Sequence, residues 1–247
     1  RQNRAVTFNK LNSLSMKHIF ITLLTLAAPI IGMGQSTQRY ELKVNDFKEL
    51  RVDNDIAVDY YCNPDSAGYA VFTATDAQSG WVLFDNNGRG KLSVQTDTDY
   101  PAGEKMPRIR VYSSSLEKVV NSGDARGKVY NLPAADKVKA LLIVNGRLAV
   151  PGVEASTIEA SIHSGNGQLT IEGRCTEAKL HLVGTGTILA DRLEAVKVKA
   201  TVVGTGHIGC SPSEAITVMG AGSGSVLYKQ APPTIKSRGV GIKHSVM

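Results

Sequence analysis

Gly204-Thr205-Gly206-His207-Ile208-Gly209 carries the letters of a dinucleotide-binding fingerprint, and an alternating strand pattern precedes it. That chemistry needs a helix opening at the third glycine, so that the helix N-terminus faces the pyrophosphate. The next residues are instead Cys210-Ser211-Pro212-Ser213-Glu214 and then the strand-like Ile216-Thr217-Val218. No cofactor is therefore expected. Sugar-cleaving chemistry needs carboxylates gathered on one face, as acid and base or as calcium ligands. Beyond residue 120 the carboxylates are scattered, and Glu172 and Asp191, which share an offset from the glycine before them, read as a solvated edge. His163, His181 and His207 fall at different offsets and read as separate surface side chains rather than metal ligands. Ser113-Ser114-Ser115 lies in no recognisable nucleophile context. The catalytic and metal sites are accordingly read as none.

The side chains left with a use in binding are few. Tyr60, Tyr61 and Trp81 suit stacking on sugar rings where exposed, and packing of a core where not. Lys197 and Lys199, with Thr201, put polar groups at every second position of one strand, which suits an extended ligand. The three cysteines, Cys62, Cys175 and Cys210, have neither CxxC spacing nor a nearby His. They read as small packing residues. Cys175 and Cys210 lie at different offsets from their glycines, which argues against a bridge between them.

The elements that position these residues come from a repeat. Gly127-Lys128-Val129, Gly146-Arg147-Leu148, Gly167-Gln168-Leu169, Gly186-Thr187-Ile188, Gly206-His207-Ile208 and Gly224-Ser225-Val226 share one form, with glycines 19, 21, 19, 20 and 18 residues apart. Four carry a second glycine two positions earlier, at Gly165, Gly184, Gly204 and Gly222. Strands such as Val196 to Val202 alternate apolar and polar residues before each corner. A period near 19 is too short for a propeller blade or a helical repeat and matches one turn of a parallel β-helix. Glycine suits the corners because it takes positive φ and sets no side chain against the next rung. The spacing predicts a column of stacked aliphatics, Val129, Leu148, Leu169, Ile188, Ile208 and Val226. It also predicts a polar ladder through Asn145, Asn166, Thr185, Thr205 and Ser223.

Ahead of the repeat the chain is less regular and aromatic, and 35–115 is expected to form an N-terminal β cap with the first rungs, Gly90-Lys91-Leu92 among them. Residues 116–247 are expected to form the regular rungs, with 35–247 as one folded unit. Further upstream, Met16-Lys17 and the apolar run Ile19–Ile31 read as a signal peptide over 16–34, preceded by an unstructured extension over 1–15. The formal charge of +6 falls to +2 without the four cations of that segment, which removes the main support for a nucleic-acid partner. No transmembrane span is expected in the mature chain.

With its G-x-G corners and the segment Phe47-Lys48-Glu49-Leu50-Arg51-Val52-Asp53-Asn54-Asp55-Ile56-Ala57-Val58, the chain resembles the putative auto-transporter adhesin family with a head GIN domain, exported proteins of gut bacteria. The resemblance covers about residues 38–246. It implies a single-stranded right-handed parallel β-helix, pectin-lyase-like in shape but without catalytic residues, and a role in adhesion. The expectation is an all-β, exported, non-enzymatic protein of the periplasm, outer-membrane surface or exterior that binds a glycan, a matrix component or another surface protein. The alternatives are a polysaccharide lyase or hydrolase of pectinase type and a self-assembling β-helical filament.

Overall fold

The computed structural model describes residues 36–247 apart from Asn87 and Ala102. The upstream extension and signal peptide expected over 1–34 lie outside the described residues. The first strands are short: β1 (Gln38–Lys43), β2 (Glu49–Val52), β3 (Val58–Cys62), β4 (Tyr69–Ala74), β5 (Val82–Asn86), β6 (Lys91–Thr96), β7 (Ile109–Ser113), β8 (Lys118–Asn121), β9 (Arg126–Tyr130) and β10 (Ala135–Leu142). Then come four long ones, β11 (Arg147–Ile162), β12 (Gln168–Gly184), β13 (Thr187–Gly204) and β14 (His207–Gly222), and three short ones, β15 (Ser225–Tyr228), β16 (Thr234–Val240) and β17 (Lys243–Val246). Among the described residues the only α-helix is Asp76–Gly80, set by a Thr75/Gln78 capping box.

These strands wind into a β-solenoid of about six turns. Each long strand lies on one face, bends at a register shift, and continues on another. Face A stacks β7, β3, β9, the first parts of β11 to β14, then β15 and β17, all in parallel. Face B stacks β6, β2, β8, β10, the second parts of β11 to β14, and β16, also in parallel. The N-terminal end is finished by antiparallel strands, β5 on β6 and β4 with β1 on β7.

Alternation fills the interior. Leu148, Leu169, Ile188, Ile208 and Val226 are register partners on face A and are buried, as the repeat predicts. On face B large and small residues alternate between neighbouring columns: Ile158 lies beside Ala160, Ala178 beside Leu180, and Val198 beside Ala200. These three rungs each pair a bulky with a small side chain, which keeps the layers interdigitated, whereas the next rung places Ile216 and Val218 there. Cys175 and Cys210 are free and buried, and burial pushes their thiols up to about 11 and about 12, which keeps them in the unreactive protonated form.

The two glycines of each G-x-G corner are needed for different reasons. The first takes positive φ, +110° at Gly184 and +121° at Gly204. The second does not; a Cβ at Gly206 would lie 2.5 Å from the Gly186 carbonyl oxygen and 2.5 Å from a Leu182 methyl. The corner must therefore lie flat on the one below it. The expected polar ladder forms differently, because its side chains reach the backbone of the neighbouring rung. Asn145 Oδ1 accepts from the Asn166 N–H, and the Thr185 hydroxyl donates to the Gly165 carbonyl.

Gly127 and Val129 depart from the repeat. Gly127 sits inside β9, opposite Leu148, and Val129 pairs with Tyr60, so neither continues the expected columns. The corner glycine beneath Gly146 is Gly123, whose carbonyl oxygen would lie 2.2 Å from a Cβ there. Gly146 leads straight into Arg147, whereas Asp124 and Ala125 separate Gly123 from Arg126, and these two extra residues shift the phase. Asn121 braces the longer corner, accepting from the Gly123 N–H and donating to the Ala125 carbonyl.

Candidate binding surfaces

The expected binding residues are dispersed. Tyr60 points into the core, where its hydroxyl shares a 2.7 Å hydrogen bond with Ser113; it offers nothing to a ligand. Tyr61 is half-buried on the outside of face A, with rings on both sides: Tyr130 at 4.6 Å and Tyr112 at 5.5 Å between centroids, both nearly parallel to it. Tyr69 continues the row as the register partner of Tyr112. Since the tyrosines cover one another's faces, the row holds its strands together rather than presenting an open platform for a sugar. Trp81 comes directly after the short helix and packs edge-on against Tyr100.

Lys197 and Lys199 lie on the outside of face B, where strand alternation turns every second side chain outward and the parallel register lines these into rows along the stacking axis. One row runs Lys91, Glu49, Lys118, Lys139, Glu159, Lys179, Lys199, Thr217, Lys236. Beside it stand Lys137, Thr157, Glu177 and Lys197. Lysine is in excess throughout, on a described chain whose overall balance is only +2. Nearer the N-terminal end the carboxylates are occupied: Glu49 by Lys118 at 3.0 Å, and Glu159 by Lys137 at 2.6 Å and Lys139 at 3.2 Å. Towards the C-terminal end Lys197, Lys199 and Lys236 form no ion pair among the described residues. Lys139, Glu159, Lys179 and Lys199 recur every 20 residues, so the sequence carries the row as a periodic charge signal, separate from the glycine repeat.

Glu159 supplies a titration test. Hydrogen bonding from Lys137 is the largest influence, and with Lys139 it outweighs burial and holds the carboxyl below its usual range. A depressed folded pKa adds stability that is present above the unfolded value and lost as pH falls through the folded one. Glu159→Gln is expected to cost about 0.5–1 kcal/mol near pH 7, and the difference from the parent is expected to shrink as pH falls through the folded-state titration, as read by denaturant titration at neutral and acidic pH.

A groove runs along the bend where the strands enter face B. One stretch, of about 1060 Å³, is floored by the register partners Ala135, Ala155, Cys175, Ala195 and Pro212. A second, of about 730 Å³, shares Ala134, Ala135 and Asp136 with the first and continues past Lys137 and Lys139 to Lys118 and Lys91. Small side chains stacked rung upon rung make the floor. Its walls carry charge in pairs, such as Arg174 with Glu154 at 2.8 Å.

The candidate chemistry stays unassembled. Glu172 pairs with Arg192 at 3.3 Å instead of stacking against Asp191. His207 Nδ1 lies 2.8 Å from the Ser225 hydroxyl, while His181, its pKa lowered by burial and by nearby His163, lies on face B. No cluster of three or more His, Cys, Asp or Glu suited to a metal occurs among the described residues. The G-x-G at Gly204 leads into strand β14, not a helix. Among the described residues no helix is long and apolar enough to cross a membrane.

The model of the family described as putative auto-transporter adhesin, head GIN domain, matches residues 46–232. No curated protein matches the chain. Among solved structures, a putative adhesin from Bacteroides fragilis is 22% identical with a TM-score of 0.76, covering 86% of this chain and 98% of its own. A putative adhesin from Parabacteroides merdae is 19% identical with a TM-score of 0.64, covering 87% and 96%. A protein from Parabacteroides distasonis described as a putative lipid binding protein is 17% identical with a TM-score of 0.67, covering 85% and 96%. At these identities the likeness is one of fold.

Proposed function

The chain belongs to the putative auto-transporter adhesin, head GIN domain family, and on that premise we propose that it is an exported attachment protein that holds an extended glycan or matrix partner against its coil and catalyses nothing. The observation that carries this reading is the axial arrangement on and beside face B, where lysine rows and a small-residue groove run side by side over many rungs. A linear ligand meets a polar side chain at each strand spacing of about 4.8 Å. Pectinase-type chemistry is the weaker reading, because the carboxylates of this region are spread out and several of them, Glu154, Glu159 and Glu172, pair with Lys or Arg. A filament of stacked rungs is weaker too: the N-terminal end finishes in the antiparallel strands β5 and β1, which offer no parallel edge for the β16/β17 end of another copy.

The coil is right-handed in this reading, in line with the strong preference of parallel crossovers for that hand, pectin-lyase-like in shape and with rungs of about 19 residues. Residues 35–247 act as one unit, with 16–34 as the export signal. The test is an array of glycans and matrix proteins probed with the purified chain, alongside incubation with a pectin panel. Saturable retention of some array members without sugar release is expected. Failure to bind any member, or release of unsaturated or reducing sugars, would overturn the proposal.

A further inference from the structure

Face B narrows the class of partner, given that the protein is an attachment protein as proposed above. Its lysines stand as point charges on successive rungs, and the three nearest the C-terminal end, Lys197, Lys199 and Lys236, have no carboxylate partner among the described residues. Lys179 and Lys199 are register partners, so their backbones lie about 4.8 Å apart. Lys236 stands two rungs beyond Lys199, with Thr217 between. An extended pyranose chain advances by about one strand spacing per sugar, so an acidic polysaccharide laid along the axis from Lys179 to Lys236 meets an ammonium group or a hydroxyl at each step.

We propose that face B binds a linear acidic polysaccharide, one bearing a carboxylate or sulfate at regular intervals, running parallel to the stacking axis. Charge complementarity sets the sign of the ligand. The lack of large aromatic rings sets its class: residues 131–227 contain no Phe, Tyr or Trp, and His181 alone gives no row of platforms on which successive bases stack. A bilayer-binding surface likewise needs a broad band of protruding apolar side chains, whereas the two lysine rows are polar and the apolar row at the edge of the face exposes only Val203 and Val240, at 42% and 79%.

The experiment measures binding of the chain to a polyuronate, a sulfated glycosaminoglycan, a neutral glucan of matched length, duplex DNA and anionic phospholipid vesicles, at low and moderate salt. The same measurements are made on Lys197→Glu/Lys199→Glu and on Lys43→Glu/Lys105→Glu, which changes net charge equally at exposed positions away from face B. The expected result is salt-sensitive binding of one or both acidic glycans, weakened about tenfold or more by the face B pair and less than about twofold by the control pair. The uronate and sulfate arms decide which group the face takes. Equal loss in both variants, or neutral glucan binding as tight as acidic, would overturn the inference and leave the attachment reading in place. DNA or vesicles binding more tightly than either glycan, through the same lysines, would overturn the choice of ligand class. Retention of nothing, here and on the array, would remove both readings. Matching circular dichroism of the variants and parent keeps a folding defect from imitating a binding loss.

Discussion

Gly204→Ala is expected to destabilise the protein by about 3–5 kcal/mol, lowering Tm by about 10 °C or more for a chain of this size. Two costs coincide there. The residue holds φ at +121°, where an L side chain is strained, and its Cβ would lie 2.5 Å from the Gly184 carbonyl oxygen, a backbone atom that cannot swing aside. Moving that carbonyl disturbs the corner hydrogen bonds it accepts from Thr205 and Gly206, both at 3.1 Å. The comparison that separates the two costs is Gly152→Ala. Gly152 has φ of +67° but nothing within 4 Å of the added methyl, so only the conformational cost, about 1 kcal/mol, is expected. Thermal melts of the two variants measure the difference. Equal shifts would mean that the corners do not stack as closely as the geometry requires.

Ile188→Ala is expected to cost about 2–5 kcal/mol, through lost burial and the cavity left behind. Ile188 is fully buried in the centre of its column, with Leu169 on one rung and Ile208 on the next, so both neighbouring interfaces lose contact. In a solenoid each rung touches only its neighbours, and a central defect weakens two interfaces at once. Val240→Ala is the matched control, because Val240 is 79% exposed on the last rung; a change within about 0.5 kcal/mol is expected. Hydrogen exchange on both variants adds a spatial reading. Protection is expected to fall in rungs β12 to β14 for Ile188→Ala and to stay unchanged in the N-terminal strands.

The regular half of this fold is legible in the sequence because the spatial neighbours of β11 to β14 are also neighbours in chain order. Leu148 to Val226 recur at nearly constant spacing, and a G-x-G marks where each rung must lie flat on the last. Ahead of them the correspondence breaks. β2 and β3 lie between the β6/β7 rung and the β8/β9 rung, so the first turn in sequence is the second in space. Leu92 therefore does stack on the coil, as the partner of Leu50, but no fixed period links it to Gly127. Strands β1 and β5 leave no periodic trace because they pair antiparallel at the end of the coil. The tyrosine row is hidden in the sequence for a related reason: Tyr112, Tyr61 and Tyr130 come together only through the shuffled order of β7, β3 and β9. Of the binding residues, Lys197 and Lys199 are recognisable from alternation within one strand. Their alignment with Lys139, Glu159 and Lys179 leaves a 20-residue charge period in the sequence, which the register turns into a row.

Disulfide trapping between outward positions of face B tests the stacking most directly. Thr201 is the register partner of His181 on the next rung, and Ser161 lies one rung further, so backbone separations of about 4.8 Å and 9.6 Å are expected against a bridging limit near 7 Å. Thr201→Cys/His181→Cys should oxidise readily to an intramolecular bridge, located by peptide mapping, and Thr201→Cys/Ser161→Cys should not. A bridge in the second pair as fast as in the first, or none in the first, would contradict the coil on which the binding face depends.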